Sequence, residues 1–122
     1  MISIIFIVLA GVCKAVKDTL CFHFNKSVFS NLNAKYWNPN ISWTNKYKDN
    51  DWKTPKFFGS TTFLVWLTDA WHLFDFLQIL LSVCAIVFYN KIIWCLLDLL
   101  MLYCAFTLCF EVFFRVLKRK NI

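Results

Sequence analysis

Two long apolar runs dominate the chain, Phe63 to Tyr89 and Ile92 to Leu117, joined by Asn90-Lys91. Each exceeds the roughly 20 residues that a helix needs to cross a ~30 Å hydrocarbon core. So short a link predicts an antiparallel helical hairpin. A third apolar stretch opens the chain. It is unbroken to Val12 and then carries Lys14, Lys17, Asp18 and His23. A secretory signal would have a basic segment before its apolar core, and no Lys or Arg precedes Lys14. The pattern therefore predicts a first membrane helix with a polar second half. The fold expected is all-α: a single integral-membrane domain over 1–122, three transmembrane helices at about 2–24, 62–89 and 92–117, and an irregular loop over 25–60. Ser60 or Thr61 is the expected N-cap of the second helix.

Composition agrees with the pattern. The chain has 122 residues, 60% hydrophobic and 20% aromatic, more apolar surface than so small a domain can bury within itself. The six cysteines show neither a CxxC pair nor zinc-ligand spacing, and most lie in the apolar runs, where a thiol behaves as a small hydrophobe.

The net charge of +6 is unevenly placed, and this sets an orientation. The long loop carries Lys26, Lys35, Lys46, Lys48, Lys53 and Lys56, and the chain ends in Arg115, Lys118, Arg119 and Lys120. The hairpin link has Lys91 alone. Basic segments stay in the cytosol, so the expectation is a multi-pass protein of the cell (inner) membrane, N-out and C-in. Within the loop, Trp43 and Trp52 lie among Lys46 and Lys48, a mixture suited to head groups and interfacial rings. The same mixture can stack on single-stranded nucleic acid, but the adjoining spans favour membrane lipids as partners and no nucleic acid is expected.

Ionisable residues inside spans are costly and therefore informative. At 1.5 Å per residue, a helix entering near Thr61 puts Asp69 about 12 Å deep and His72 about 16 Å deep. Asp18 would lie about 9 Å from the end of the first helix, with His23 at its surface. Folding the hairpin about Asn90-Lys91 brings Glu111 level with Ala70 and Arg115 level with Trp66. Asp18, His23, Asp69, His72, Glu111 and Arg115 thus share one stratum of the cytosolic half, and a catalytic site would have Asp18, His23, Asp69 and His72 converge. Asp69 and His72, three residues apart, share a helical face and can hold a divalent metal or act as base and orienter. Asp18 and His23 form a weaker second half of such a site. The structural alternative pairs Arg115 with Asp69, Glu111 with His72 and Lys14 with Asp18. Asp75 and Asp98 have no evident partner.

Four segments, Lys14-Ala-Val-Lys-Asp18-Thr-Leu-Cys-Phe-His23, Tyr36-Trp-Asn-Pro39, Ser42-Trp-Thr-Asn-Lys46 and Leu67-Thr-Asp-Ala-Trp-His72, together resemble a group of uncharacterised small integral-membrane proteins of bacteria and their phages. The resemblance covers the first two thirds of the chain and implies topology without a mechanism. The leading expectation is a non-enzymatic membrane component or accessory subunit acting at the cytosolic face, alone, as a homo-oligomer or with a membrane-protein partner. The alternatives are a metal-assisted or acid–base hydrolase of a lipid or other amphiphile, and an oligomeric channel or membrane-perturbing effector.

Overall fold

The structure, a computed structural model, describes residues 2–118. The tail residues Arg119 and Lys120, which enter the charge argument, lie outside the described residues. Three long helices carry the architecture: α1 (Ile2–His23), α4 (Ala70–Val87) and α5 (Cys95–Lys118). Between α1 and α4 come two single-turn helices, α2 (Ala34–Trp37) and α3 (Pro39–Ser42), and a small hairpin of β1 (Tyr47–Lys48) and β2 (Asp51–Pro55). The loop expected to be irregular is thus built from local devices. Asn33 caps α2 and Asn38 caps α3, each side chain accepting from a backbone N–H two residues on, and Pro39 starts α3 where its missing N–H costs nothing. Asp49 and Asn50, both at positive φ (52° and 60°), make the two-residue turn that matches strand twist.

Helix α1 lies where the sequence places it. It carries a buried face of small residues, Ser3, Ala10, Gly11, Cys13, Ala15 and Thr19, which lets two other helices approach closely. Helix α4 runs antiparallel to it. Ser3 Oγ donates to the Ala85 carbonyl at 2.8 Å at one end, and Lys17 Nζ donates to Asp75 Oδ1 at 2.8 Å toward the other. Helix α5 runs parallel to α1: Cys109 Sγ donates to the Val8 carbonyl, and Val28 N donates to the Leu117 carbonyl just beyond the end of α1. Among the described residues α4 and α5 have their main interfaces with α1 and not with each other.

This corrects the expected hairpin, in which the two apolar runs face one another. The small-residue face of α1 offers closer packing than the Leu- and Phe-rich flanks of α4 and α5, so α1 intervenes. Glu111 consequently stays on α5 with Arg115 (3.4 Å, both side chains largely exposed) and reaches neither Asp69 nor His72.

Gly11 marks the tightest point. A Cβ there would lie 2.9 Å from the Phe106 carbonyl oxygen, a backbone atom that cannot swing away. Gly11→Val is expected to push α5 off α1 and cost about 1–3 kcal/mol, read by unfolding in mixed micelles. A Phe22→Ala control on exposed surface should cost far less.

The second correction concerns α4, which starts at Ala70 and not near Thr61. Residues before it form turns and a 3-10 segment at Val65–Leu67. Gly59 sits at φ +82°, and Ser60, wholly buried, donates its hydroxyl to the Lys46 carbonyl at 2.8 Å. That bond ties the segment back to the loop, and the Ser60 oxygen, which a cap would use as acceptor, accepts from Phe57 N at 3.4 Å. Asp69 is the cap instead. Helix α5 starts at Cys95, close to expectation.

Candidate functional site

Asp69 has extended backbone (φ −154°, ψ 167°), is 1% exposed, and precedes the first turn of α4. Its Oδ1 accepts from His72 N at 2.8 Å, the N-cap bond. The same carboxylate faces the His72 ring, with Nδ1 2.9 Å from Oδ1 and 3.0 Å from Oδ2. A carboxylate accepts only, so Nδ1 carries the proton and Nε2 of the neutral ring is left as an acceptor. The residue before the dyad is also held. Asn45 Nδ2 donates to the carbonyls of Lys35 (2.6 Å) and Thr68 (3.1 Å), stitching the loop to the start of α4.

Tyr36 completes this corner. Burial, and then the Asp69 carboxylate, push its phenol above the usual tyrosine range. Its neighbour Trp37 stacks on Phe29 (5.4 Å) and leans on Phe74 of α4 (6.3 Å). These rings cover the core of Val16, Leu20, Phe24 and Ala70. The loop around Tyr36 and Asn45 and the start of α4 at Asp69 therefore meet at one place.

Asp69→Asn removes the second cause of the Tyr36 shift. The Tyr36 phenol should then ionise at lower pH, nearer the usual value of about 10, in an ultraviolet titration with Tyr36→Phe as reference. The raised phenol also fixes a sign. Its contribution to stability is complete below about pH 10 and is lost as pH rises through the folded value.

Of the four residues expected to converge, the fold brings together Asp69 and His72 only. Asp18 accepts from Lys14 on α1, and Lys14 lies over the Phe110 ring of α5 at 4.2 Å. His23 rests edge-on against Phe114 of α5 and lines a polar cavity of about 270 Å³ with Asn25, Lys26 and Asn38. Both belong to the α5 side of α1. The depth expected for Asp69 assumed a helix beginning near Thr61, and α4 begins at Ala70, one residue after Asp69.

Metal binding by Asp69 and His72 also reads differently in three dimensions. Asp69 already spends its oxygens on His72 N and Nδ1, so the two side chains bond each other and do not point at a common third position. Among the described residues no group of three or more His, Cys, Asp and Glu side chains could hold a metal ion. His72 Nε2 is the donor atom that the arrangement leaves over.

Two partnerships were invisible in the sequence. Asp75 accepts from Lys17, which also lies over the Trp71 ring at 5.5 Å. Asp98, wholly buried, accepts from Tyr89 Oη (2.6 Å), Ile92 N (2.8 Å) and Ile93 N (3.1 Å) and so closes the link between α4 and α5. All six cysteines are free.

The loop residues expected at a membrane surface are accessible: Trp43 is 52% and Trp52 71% exposed. Lys46 lies over the Tyr47 ring, and Lys48 lines a cavity beside the β hairpin. No family model, curated protein or solved structure matches the chain.

Proposed function

We propose that the chain is a three-span integral protein of the cell (inner) membrane, N-out and C-in, acting without catalysis as a small membrane component or accessory subunit at the cytosolic face. Helices α4 and α5 are long and apolar enough to cross a bilayer, and only 11% of each apolar window is buried within the protein. A core helix of a soluble domain would be mostly covered. Leu, Ile, Val and Phe side chains stand exposed along both, for instance Ile79, Val83, Ile86, Leu99, Leu108 and Val116, and lipid is the solvent that suits them. Helix α1, 22 residues or about 33 Å long, is set apart by Lys14, Lys17 and Asp18. Both of its lysines have carboxylate partners, which lowers the cost of placing them between two apolar helices. The bacterial and phage resemblance belongs with this reading.

The observation that carries the non-catalytic reading is the pairing of the acids near the cytosolic end. Asp18 meets Lys14, Asp75 meets Lys17, and Asp69 meets His72 and the α4 N-terminus. The Lys17–Asp75 pair joins α1 to α4 and holds the two in register in lipid, at about 0.6–2 kcal/mol, while the other two pairs each lie within one helix or its cap. Membrane lipids are the expected partners of the loop. The test is topology. In a chain whose native cysteines are replaced by Ser, an impermeant thiol reagent should label Asn90→Cys only from outside and Asn50→Cys only from inside. Labelling of both from one side would end the three-span reading.

One observation favours a second reading. Asp69 orients the His72 ring by Nδ1 and leaves Nε2 free, the arrangement of a general base and its orienting acid. On that reading the protein hydrolyses a lipid or other amphiphile at the interface.

A further inference from the structure

The cavity beside the β hairpin is about 570 Å³ and gathers Lys35 from α2, Lys48 from β1 and Lys56 from just beyond β2. Asn45 and Asn50 add amide groups, and Asp49 is the one carboxylate in the lining. The helix lysines Lys14 and Lys17 are neutralised by carboxylates. The ammonium groups of Lys35, Lys48 and Lys56 have no ion pair or hydrogen bond among the described residues. Lys46 and Lys53 of the same loop lie instead over the rings of Tyr47 and Trp52. Of the six loop lysines, two are seated on aromatic rings, three stand unpaired around this one concavity, and Lys26 lines the separate cavity beside His23.

We infer that this cavity is a binding site for a phosphomonoester dianion, presented by the head group of a membrane lipid. Three ammonium groups and one carboxylate leave a charge of +2 in the lining. That balances the nearly two negative charges of a phosphomonoester near neutral pH and exceeds the single charge of a phosphodiester. Ammonium groups donate charge-assisted hydrogen bonds to phosphate oxygens, and the Asn50 amide can bond ester or glycerol oxygens, whereas both N–H groups of Asn45 are spent on the Lys35 and Thr68 carbonyls. The walls are built to stay in place. The turn is set by Asp49 and Asn50, the Lys56 N–H donates to the Lys46 carbonyl at 2.9 Å, and Asn45 holds the Lys35 carbonyl. Through Asn45, which also holds the Thr68 carbonyl, an occupied cavity connects to the residue before Asp69. The lipid source rests on the reading of the loop as a membrane-surface element; the phosphomonoester chemistry does not.

The test compares phosphatidic acid with phosphatidylglycerol, each doped into phosphatidylcholine nanodiscs at equal total lipid charge, and glycerol 3-phosphate with the protein in neutral detergent micelles. The variants are Lys35→Gln/Lys48→Gln/Lys56→Gln and, at matched charge, Lys26→Gln/Lys46→Gln/Lys53→Gln. All six positions are in the loop, and an unchanged melting curve verifies the fold. Phosphatidic acid should bind at least about tenfold tighter than phosphatidylglycerol, and the cavity triple should lose that preference while the control triple keeps it. Binding of glycerol 3-phosphate that the cavity triple abolishes, without any lipid preference, would support the phosphomonoester site and assign it a soluble ligand. Equal weakening by both triples, or equal binding of the two lipids with no binding of glycerol 3-phosphate, would overturn the proposal. Because the micelle arm does not depend on orientation, it separates failure of the site from failure of the topology.

Discussion

Lys17→Met is expected to destabilise the helix assembly by about 2–3 kcal/mol, and the double change Lys17→Met/Asp75→Leu to recover most of that loss. Lys17 and Asp75 form the ion pair that joins α1 to α4, at 2.8 Å, with side chains 18% and 35% exposed. Asp75 lies about 8 Å along α4 from its start, which on the three-span reading is inside the hydrocarbon. Removing the lysine leaves the Asp75 carboxylate without its ion-pair partner. Breaking a fully buried pair costs about 3–5 kcal/mol, and partial exposure trims that figure here. Replacing both residues by apolar ones removes the orphan. The Lys14–Asp18 pair makes the contrast, since it lies within one helix four residues apart. Pairs of that kind are worth about 0.2–0.5 kcal/mol, so Lys14→Met should cost much less than Lys17→Met. Equilibrium unfolding in mixed micelles supplies the double-mutant cycle. A double variant no more stable than Lys17→Met would show that the pair does not couple the helices.

The second large effect is expected at Asp69. Asp69→Ala removes the cap of α4 and the partner of His72 Nδ1 together. A lost cap costs about 1 kcal/mol and a buried donor left unpaired about 1–3, so a loss of about 2–4 kcal/mol is expected. Asp69→Asn keeps an oxygen for the cap and should cost about half as much. His72→Ala keeps the cap and removes only the ring, and about 1 kcal/mol is expected. A Glu111–His72 pair would let Glu111→Gln rescue His72→Ala. With Glu111 beside Arg115 on α5, no such rescue is expected. The same variants separate the two functional readings. In a scaffold, function follows stability and Asp69→Ala is the worst of the three. In an acid–base site, His72→Ala abolishes turnover of an amphiphile at almost unchanged stability, and Asp69→Asn nearly does so by disfavouring the productive tautomer.

The sequence by itself determined what one segment can settle alone. Ile2–His23 and Cys95–Lys118 read as helices because mostly apolar runs of that length are too long for a strand and fit a helix. The i, i+4 pairing of Lys14 with Asp18 was legible for the same reason, since one helix supplies both partners. The start of α4 was not. Ser60, Thr61 and Asp69 are all good caps in isolation, and Asp69 takes the role while Ser60 accepts from Phe57 N and donates to the Lys46 carbonyl across the loop. Nor was the arrangement of helices legible. Two apolar runs joined by a short link look like natural neighbours, yet the small-residue face of α1 packs more closely on each than they do on each other. That arrangement separates Asp18 and His23 from Asp69 and His72, gives Asp75 a partner 58 residues away, and returns Asp98 to the link through Tyr89. The physical reason is common to all of these. Helix formation depends on residues within a turn or two, whereas a buried charge takes whichever partner the packed backbone brings within 3 Å, and that partner is chosen by packing.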